Sequence, residues 1–371
     1  MEQLYAIDSP DEILSPGLVV FEEIVRENIV RMKAIAGQDQ RLRPHCKTHK
    51  MVDIIRLEVG MGIYKHKCAT FAEAEMLAVG GAQDVFLAYN PVGPNIARAV
   101  RYRQIYPDVR FSVAADHPEP VKALNDAMVA AGIEVDVFVD IDTGLGRTGL
   151  APGAEVRDLY EQIDWASNLR PAGLHAYDGQ NHQTRLEERS TAVDECWNSI
   201  QDLKNDLENS SLAVPAIVAG GTGTFPLYAR KDDPALELSP GTCVLHDDGY
   251  EQLFPDMQFV PAALILTRVV SRPSPSTVTF DLGYKACASD PPAGSRLRFP
   301  NIPDAREVLQ NEEHLVVETM NAANYRPGDV ELAIPTHICP TSALHAQVWV
   351  IRGRDVHDTW KVTARDRQIS L

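Results

Sequence analysis

Short apolar runs alternate with longer amphipathic stretches through the first two thirds of the chain, and each run ends in a turn rich in Gly or Asp. In residues 22–36, for example, Ile24, Ile29 and Met32 fall near one face of a helix. Strands that alternate with helices in one long series predict a parallel sheet closed into a (β/α)8 TIM-type barrel. The predicted strands include residues 84–88, 110–114, 135–141, 173–176 and 216–219.

The pattern changes near Phe254. Later segments are short, rich in Val and Ile, and separated by clusters of Pro, Gly and Asn. This pattern is typical of antiparallel strands. We therefore predict two domains: a barrel over residues 1–254, with a short extended lead-in at residues 17–21, and a C-terminal antiparallel β domain over residues 255–371.

Charge and cysteine usage narrow the classes of function. The formal net charge of −17 argues against a nucleic acid or an anionic membrane as the partner and leaves a small-molecule substrate. The chain opens without the basic and apolar regions of a secretion signal, and it has no long uncharged apolar stretch. Its six cysteines are scattered, as free thiols in a reducing compartment would be. A cytoplasmic location is the expectation.

The octapeptide RPHCKTHK, residues 43–50, holds the first candidate chemistry. Cationic neighbours disfavour the charged form of a lysine, and a neutral amine is what Schiff-base formation requires. Lys47 lies among Arg43, His45, His49 and Lys50 and is therefore a candidate. From composition alone, a basic surface turn is an equally good interpretation.

Other candidates follow predicted strands, where a barrel builds its site. The glycine turn after residues 216–219 offers backbone N–H groups for a phosphate, although an ordinary strand-to-helix turn fits as well. Arg147 follows a strand and is either a cofactor contact or a surface ion-pairing residue. Tyr177 is a candidate cofactor contact, and His175 is either its neighbour or a core histidine. The phosphate candidates in this turn are Gly221, Thr222, Gly223 and Thr224.

His337 and Cys339 are the candidate metal ligands. If residues 336–339 are extended, both side chains face one way and form a two-ligand site, completed by water or substrate. A buried thiol beside a hydrogen-bonded histidine is the alternative.

These motifs, in this order, resemble the D-threonine aldolase and D-serine dehydratase family of fold-type III pyridoxal-phosphate enzymes, whose barrel is like the N-terminal domain of alanine racemase. The resemblance covers nearly the whole chain. It rests on RPHCKTHK, VDIDTGLGRTGL, GLHAYDGQNH, VAGGTGT, ELSPGT, NEEHLVVE and PTHICPT.

The resemblance implies roles for the candidates. Lys47 would carry pyridoxal phosphate as a Schiff base. Its phosphate would be bound by the glycine turn after residues 216–219 and by a second turn, in ELSPGT, that contains Gly241 and Thr242. His337 and Cys339 would bind a divalent ion, either Zn²⁺ or Mn²⁺/Mg²⁺. His314 would position the substrate or a metal-bound water. A homodimer is implied by the same analogy.

Two reactions on a D-3-hydroxy amino acid are compatible with such a site. An aldolase breaks Cα–Cβ and releases glycine and an aldehyde, whereas a dehydratase gives a 2-oxo acid and ammonia. Cys339 resembles the dehydratase branch, but the frame around it and Asp178 resemble the aldolase branch, which we favour. An amino-acid racemase and a non-catalytic protein of pyridoxal-phosphate homeostasis fit less well, because neither requires a metal site.

Overall fold

The computed structural model describes residues 4–371. Its internal contacts divide the chain into two compact units. The barrel unit comprises Lys33–Lys47, Val52–Gly241 and Asp366–Leu371, and the sheet unit comprises the chain up to Met32 together with Thr48–Met51 and Thr242–Arg365.

Sixteen strands are present in the described residues: β1 (Gly17–Phe21), β2 (Lys65–Cys68), β3 (Asp84–Leu87), β4 (Arg110–Ala115), β5 (Val135–Asp140), β6 (Leu169–Ala176), β7 (Ala216–Ala219), β8 (Leu236–Leu238), β9 (Ala263–Ser274), β10 (Thr277–Phe280), β11 (Leu297–Arg298), β12 (Arg306–Gln310), β13 (Leu315–Glu318), β14 (Val330–Pro335), β15 (Gln347–Arg352) and β16 (Asp355–Lys361).

The α-helices of the same part of the chain are α1 (Glu22–Ala36), α2 (Val52–Gly60), α3 (Phe71–Gly80), α4 (Pro94–Ile105), α5 (Pro118–Ala131), α6 (Ala154–Asp164), α7 (Leu186–Asn209), α8 (Phe225–Tyr228), α9 (Asp248–Leu253) and α10 (Ile338–Leu344). None of the helices in the described part is both long enough and apolar enough to cross a membrane.

A seven-stranded parallel sheet, ordered β2 to β8, forms the barrel unit. A helix follows each strand from β2 to β7, as the sequence predicts. One layer of the interior is a cluster of buried apolar side chains from five successive strands. Its members are Phe86, Ala114, Phe138, Ala172 and Val218. Small residues from some strands make room for phenylalanine rings from others, so side chains of different sizes pack in one layer.

A closing segment, residues 42–45, joins the two edges of this sheet. Leu42 bridges to Leu238 of β8, and His45 bridges to Lys67 of β2, both in parallel orientation. Pro44 has no N–H, which prevents a regular ladder, but its carbonyl accepts a hydrogen bond from the Lys67 N–H at 2.8 Å. The predicted barrel class is confirmed, with the closing segment in place of an eighth regular strand.

The buried side chain of Arg43 links the closing segment to two strands of the barrel. Its guanidinium is only 2% exposed and donates two hydrogen bonds to Asp84 of β3, at 2.7 and 3.0 Å, and one to Glu237 of β8. Burial alone would raise the pKa of Asp84, but the adjacent guanidinium outweighs that effect and lowers it. Lys65 of β2 also donates to Glu237, so the closing segment and three strands of the barrel wall meet in one ion-pair network.

The sheet unit contains a nine-stranded sheet in which most neighbouring strands are antiparallel, as predicted for the C-terminal domain. One strand was not expected there. β1, the predicted lead-in, lies in the middle of the sheet, parallel to β15 and antiparallel to β9. Its five residues are all buried, which explains its continuous apolar sequence GLVVF. The division into domains at residues 254 and 255 remains a prediction.

We predict that Arg43→Ala lowers the free energy of unfolding by about 3–5 kcal/mol, because it removes the buried guanidinium that donates to both Asp84 and Glu237. Urea denaturation followed by circular dichroism measures the change. Lys122→Ala is the control, because it breaks the exposed Lys122–Asp126 pair and should cost no more than about 1 kcal/mol. Equal losses in the two variants would contradict the structural role of Arg43.

Candidate functional site

Three cationic side chains surround the Tyr177 ring in the barrel unit. The Lys47 and Lys67 Nζ atoms lie 5.9 and 5.7 Å from the ring centroid, and the Arg147 guanidinium carbon lies 4.9 Å from it. Tyr177 directly follows β6, Arg147 is in the loop after β5, and Lys47 follows the closing segment. The structure therefore brings together three sequence-predicted residues, Lys47, Arg147 and Tyr177, at the carboxyl ends of the strands, together with Lys67, which the sequence analysis did not single out.

Behind Tyr177, a hydrogen-bonded series runs from Lys67 through His175 to Asp140. His175 Nδ1 is 2.7 Å from Asp140 Oδ1, and His175 Nε2 is 3.4 Å from Lys67 Nζ. Burial lowers the pKa of His175, an effect that Asp140 opposes. Burial, reinforced chiefly by the charge of Lys47, lowers the pKa of Lys67 to about 7. Such perturbed groups are concentrated at functional sites.

The Asp142 carboxylate shapes the loop that carries Arg147. Asp142 Oδ1 accepts hydrogen bonds from the N–H groups of Gly144 and Gly146, at 2.9 and 3.0 Å. These hydrogen bonds lower the pKa of Asp142, and the one from Gly146 has the largest effect. Both glycines have positive φ, a conformation that favours residues without Cβ. The result is a tight turn that fixes the position from which Arg147 extends.

The two predicted phosphate-binding turns contact each other within the barrel unit. The Gly241 N–H donates to Thr222 Oγ1 at 3.2 Å. Thr224 Oγ1 donates to the buried Asp178 at 2.9 Å, and burial raises the pKa of that carboxyl group. A Cβ on Gly221 would lie 3.0 Å from the Tyr177 ring, so the absence of a side chain lets the turn approach the ring. Gly223 belongs to the same buried turn.

This arrangement fits pyridoxal phosphate. It offers an amine, a guanidinium and an aromatic ring beside a glycine turn with hydroxyl groups, all at the end of a barrel where ligands bind.

The sheet unit contains the predicted metal ligands, but their local geometry corrects the sequence analysis. β14 ends at Pro335, His337 caps α10, and Cys339 lies in the first turn of that helix, so residues 336–339 are not extended. The two side chains nevertheless hydrogen-bond to each other. His337 Nδ1 is also 2.5 Å from Asp290 Oδ2. Burial would lower the pKa of His337, but Cys339 and Asp290 outweigh it and raise the pKa to about 9.

Two hydroxyl groups surround the Cys339 sulfur. Thr48 Oγ1 lies 3.2 Å from it and Thr242 Oγ1 lies 3.6 Å from it. Thr242, predicted from the sequence as a phosphate ligand, is thus beside the thiol within the sheet unit. A soft thiolate and an imidazole form a donor set that suits Zn²⁺.

His314 is in a different setting from the other candidates. It is exposed in the turn between β12 and β13, where its carbonyl accepts the Asn311 N–H at 2.9 Å. Within residues 4–371, its imidazole makes no hydrogen bond to His337 or Cys339. Its role as a positioning residue stays a prediction.

A second group of metal-binding residue types is present in the barrel unit. His45, Cys46 and Glu73 are buried, and one potential ligand atom from each lies within 4.8 Å of the others. Sequence spacing could not reveal this group, because Glu73 is on a different element, α3. There the Glu73 carboxylate accepts the Ala69 N–H at 2.7 Å, and Thr70 Oγ1 accepts the Glu73 N–H at 3.1 Å. This pattern is close to that of a helix capping box and gives Glu73 a structural role.

Comparison with known proteins agrees with this site. The family model of the alanine racemase N-terminal domain matches residues 22–246, and that of the putative serine dehydratase domain matches residues 262–351. The chain is 30% identical to the D-threonine aldolase of Arthrobacter sp. over 98% of its own length and 94% of that protein.

The chain belongs to the fold-type III family of pyridoxal-phosphate enzymes. A solved fold-type III structure, the D-threonine aldolase of Filomicrobium marinum, has a TM-score of 0.89 at 26% identity and covers 95% of this chain and 96% of its own. The 3-hydroxy-D-aspartate aldolase of Paracoccus denitrificans (strain Pd 1222) is 28% identical over 96% of this chain and 93% of that protein. These relatives are lyases, so this fold-type III chain is a pyridoxal-phosphate-dependent lyase as well.

Proposed function

We propose that this lyase cleaves D-3-hydroxy amino acids by a retro-aldol reaction that yields glycine and an aldehyde. The similarity to a D-threonine aldolase over 98% of the chain supports this reaction most directly, together with the TM-score of 0.89 to a second one. The 3-hydroxy-D-aspartate aldolase among the relatives supports the same bond cleavage on a different side chain.

In the proposed site, Lys47 holds the cofactor covalently. Pyridoxal phosphate, when bound, supplies an electron sink for the bond broken at the substrate's Cα. Arg147 and Tyr177 would orient its ring, because the Arg147 guanidinium carbon and the Lys47 amine lie 4.9 and 5.9 Å from the Tyr177 ring centroid. Gly221, Thr222, Gly223, Thr224, Gly241 and Thr242 are the proposed phosphate ligands.

His337 and Cys339 are the proposed ligands of a divalent ion that receives the substrate's β-hydroxyl group. Asp290 supports this role, since a carboxylate on Nδ1 fixes the imidazole and leaves Nε2 for the metal. The sulfur ligand favours Zn²⁺ over Mn²⁺ or Mg²⁺. Solved variants of a D-threo-3-hydroxyaspartate dehydratase replace a histidine and a cysteine two positions apart, which is the spacing of His337 and Cys339, and the cysteine variant was solved in its metal-free form.

The alternative reaction is dehydration to a 2-oxo acid and ammonia. Cys339 favours it, and a D-serine dehydratase from Dictyostelium discoideum is 24% identical over 93% of this chain. Racemase activity and a non-catalytic role in cofactor homeostasis are less favoured, because neither uses the His337–Cys339 pair. A D-3-hydroxy amino acid as substrate, a homodimer and a cytoplasmic location complete the proposal.

Incubation with pyridoxal phosphate, Zn²⁺ or Mn²⁺, and D-threonine distinguishes the two reactions. We expect glycine and acetaldehyde in equal amounts, measured by mass spectrometry. If 2-oxobutanoate and ammonia form instead, the reaction is dehydration and the proposed aldolase activity is wrong. D-Serine and D-3-hydroxyaspartate, tested in parallel, define the side chain that the site accepts.

We expect Lys47→Ala to lose the visible absorbance of the bound cofactor, since it removes the amine that forms the covalent bond. Lys50→Ala is the matched control, from the same octapeptide, because Lys50 Nζ lies 3.3 Å from the Ala364 carbonyl in the sheet unit. It should retain the absorbance. If Lys47→Ala kept the absorbance and Lys50→Ala lost it, the cofactor would be assigned to Lys50.

Removal of the metal should abolish turnover while the visible absorbance of the cofactor remains. Chelation followed by metal analysis and re-addition of Zn²⁺ or Mn²⁺ tests this expectation. His337→Ala should behave like the chelated protein, whereas His357→Ala, which removes an exposed histidine, should retain both metal and activity. Full turnover by protein shown to contain no metal would refute the proposed role of His337 and Cys339.

A further inference from the structure

Lys67 is a buried lysine without a carboxylate partner. Its side chain extends from β2, and the residue is 4% exposed. Lys65, two residues earlier and on the same face of the strand, pairs with Glu237 at the other end of the barrel. Lys67 forms no ion pair with a carboxylate in residues 4–371; its polar contact is with His175 Nε2, at 3.4 Å.

Such a lysine is costly to the fold. An ammonium group that leaves water without a charged partner pays a desolvation penalty, and an apolar residue of similar volume avoids that penalty. Methionine would also pack against the neighbouring apolar layer, which begins with Phe86, the residue paired with Lys67 in the sheet register. Stability therefore does not account for a lysine at this position.

The groups that face Lys67 define what its amine can do. From their different elements, they are Lys47, Arg43, Arg147, His175, Tyr177 and Asp140. His175 Nδ1 donates to the Asp140 carboxylate at 2.7 Å, so Nε2 is the acceptor that holds Lys67 Nζ. Asp140 is the single anion among these groups, and the His175 imidazole, which bonds to both, links it to Lys67.

We propose that Lys67 is a positioning residue of the cofactor site that accepts the proton given up by Lys47 when the Lys47 nitrogen becomes neutral. The proton leaves Lys47 Nζ and is bound by the lone pair of Lys67 Nζ, so the pair keeps one positive charge throughout. His175 and Asp140 hold the Lys67 amine in place beside the Tyr177 ring. The inference rests on the proposed function, because it assumes that Lys47 bonds to the cofactor.

The test is a pH titration of the visible absorbance of the protein loaded with pyridoxal phosphate. In the protein without cofactor, burial and the charge of Lys47 lower the pKa of Lys67 to about 7. Once Lys47 is bonded to the cofactor its charge is gone, so the pKa of Lys67 rises and its amine loses the proton only above pH 7. We expect this change of charge to give a step in the visible spectrum of the wild-type protein above pH 7. The step should be lost both in Lys67→Met, which is never charged, and in Lys67→Arg, which always is.

Lys65→Met is the matched control on the same strand and should keep the step. A step that persists unchanged in Lys67→Met and Lys67→Arg would overturn the proposal. Thermal unfolding of Lys67→Met should occur at or above the wild-type temperature, which separates loss of the titration from loss of the fold.

A second measurement does not depend on the cofactor. Reductive methylation with formaldehyde and cyanoborohydride, located by peptide mass spectrometry, reports the pH at which each lysine reacts. If no visible absorbance develops in the wild-type protein, the proposed function fails. Reductive methylation then still tests the inference about Lys67. Half-maximal reaction near pH 7 supports the proton-accepting amine; reaction at the same pH as the exposed Lys122 refutes it.

Discussion

The ion-pair network of Arg43 is the constraint on which the barrel unit depends. Residues 42–45 complete the wall with isolated bridges only, because Pro44 cannot donate to a ladder. Arg43 compensates for the missing ladder hydrogen bonds, because its guanidinium joins Asp84 of β3 to Glu237 of β8. A buried network of this kind gives specificity of register more than net stability. The Lys47 amine follows four residues later, so its position is set by the same network.

The two ends of the barrel have separate tasks. Arg43, Lys65 and Asp84 lie toward the amino-terminal ends of the strands, where their charges neutralise one another. At the carboxyl-terminal ends, burial lowers the pKa values of Lys67 and His175, although Asp140 opposes the effect on His175. Barrels generally divide stability and chemistry in this way. The ion pairs at one end offset the cost of burying Lys67 at the other.

Sequence periodicity was sufficient for the barrel, because each buried strand is an apolar run followed by a turn. It also placed Arg147 and Tyr177 at the ends of strands, whereas Lys47 was singled out by its cationic neighbours in residues 43–50. It failed for residues 336–339, where His337 caps a helix and the i, i+2 rule of strands does not apply. It also passed over Lys67, since a lysine in the polar sequence KHKC suggests an exposed position, and only the fold reveals that β2 turns this residue inward.

The place of β1 has a consequence for synthesis on the ribosome. β1 precedes every strand of the barrel in the chain, yet its partners β9 and β15 begin only at Ala263 and Gln347. A fully apolar pentapeptide must therefore remain unpaired while the entire barrel is translated. Contacts so distant in sequence slow folding and leave a strand open to wrong partners. The same apolar residues that form the centre of the finished sheet are therefore exposed in the growing chain until the last strands are made.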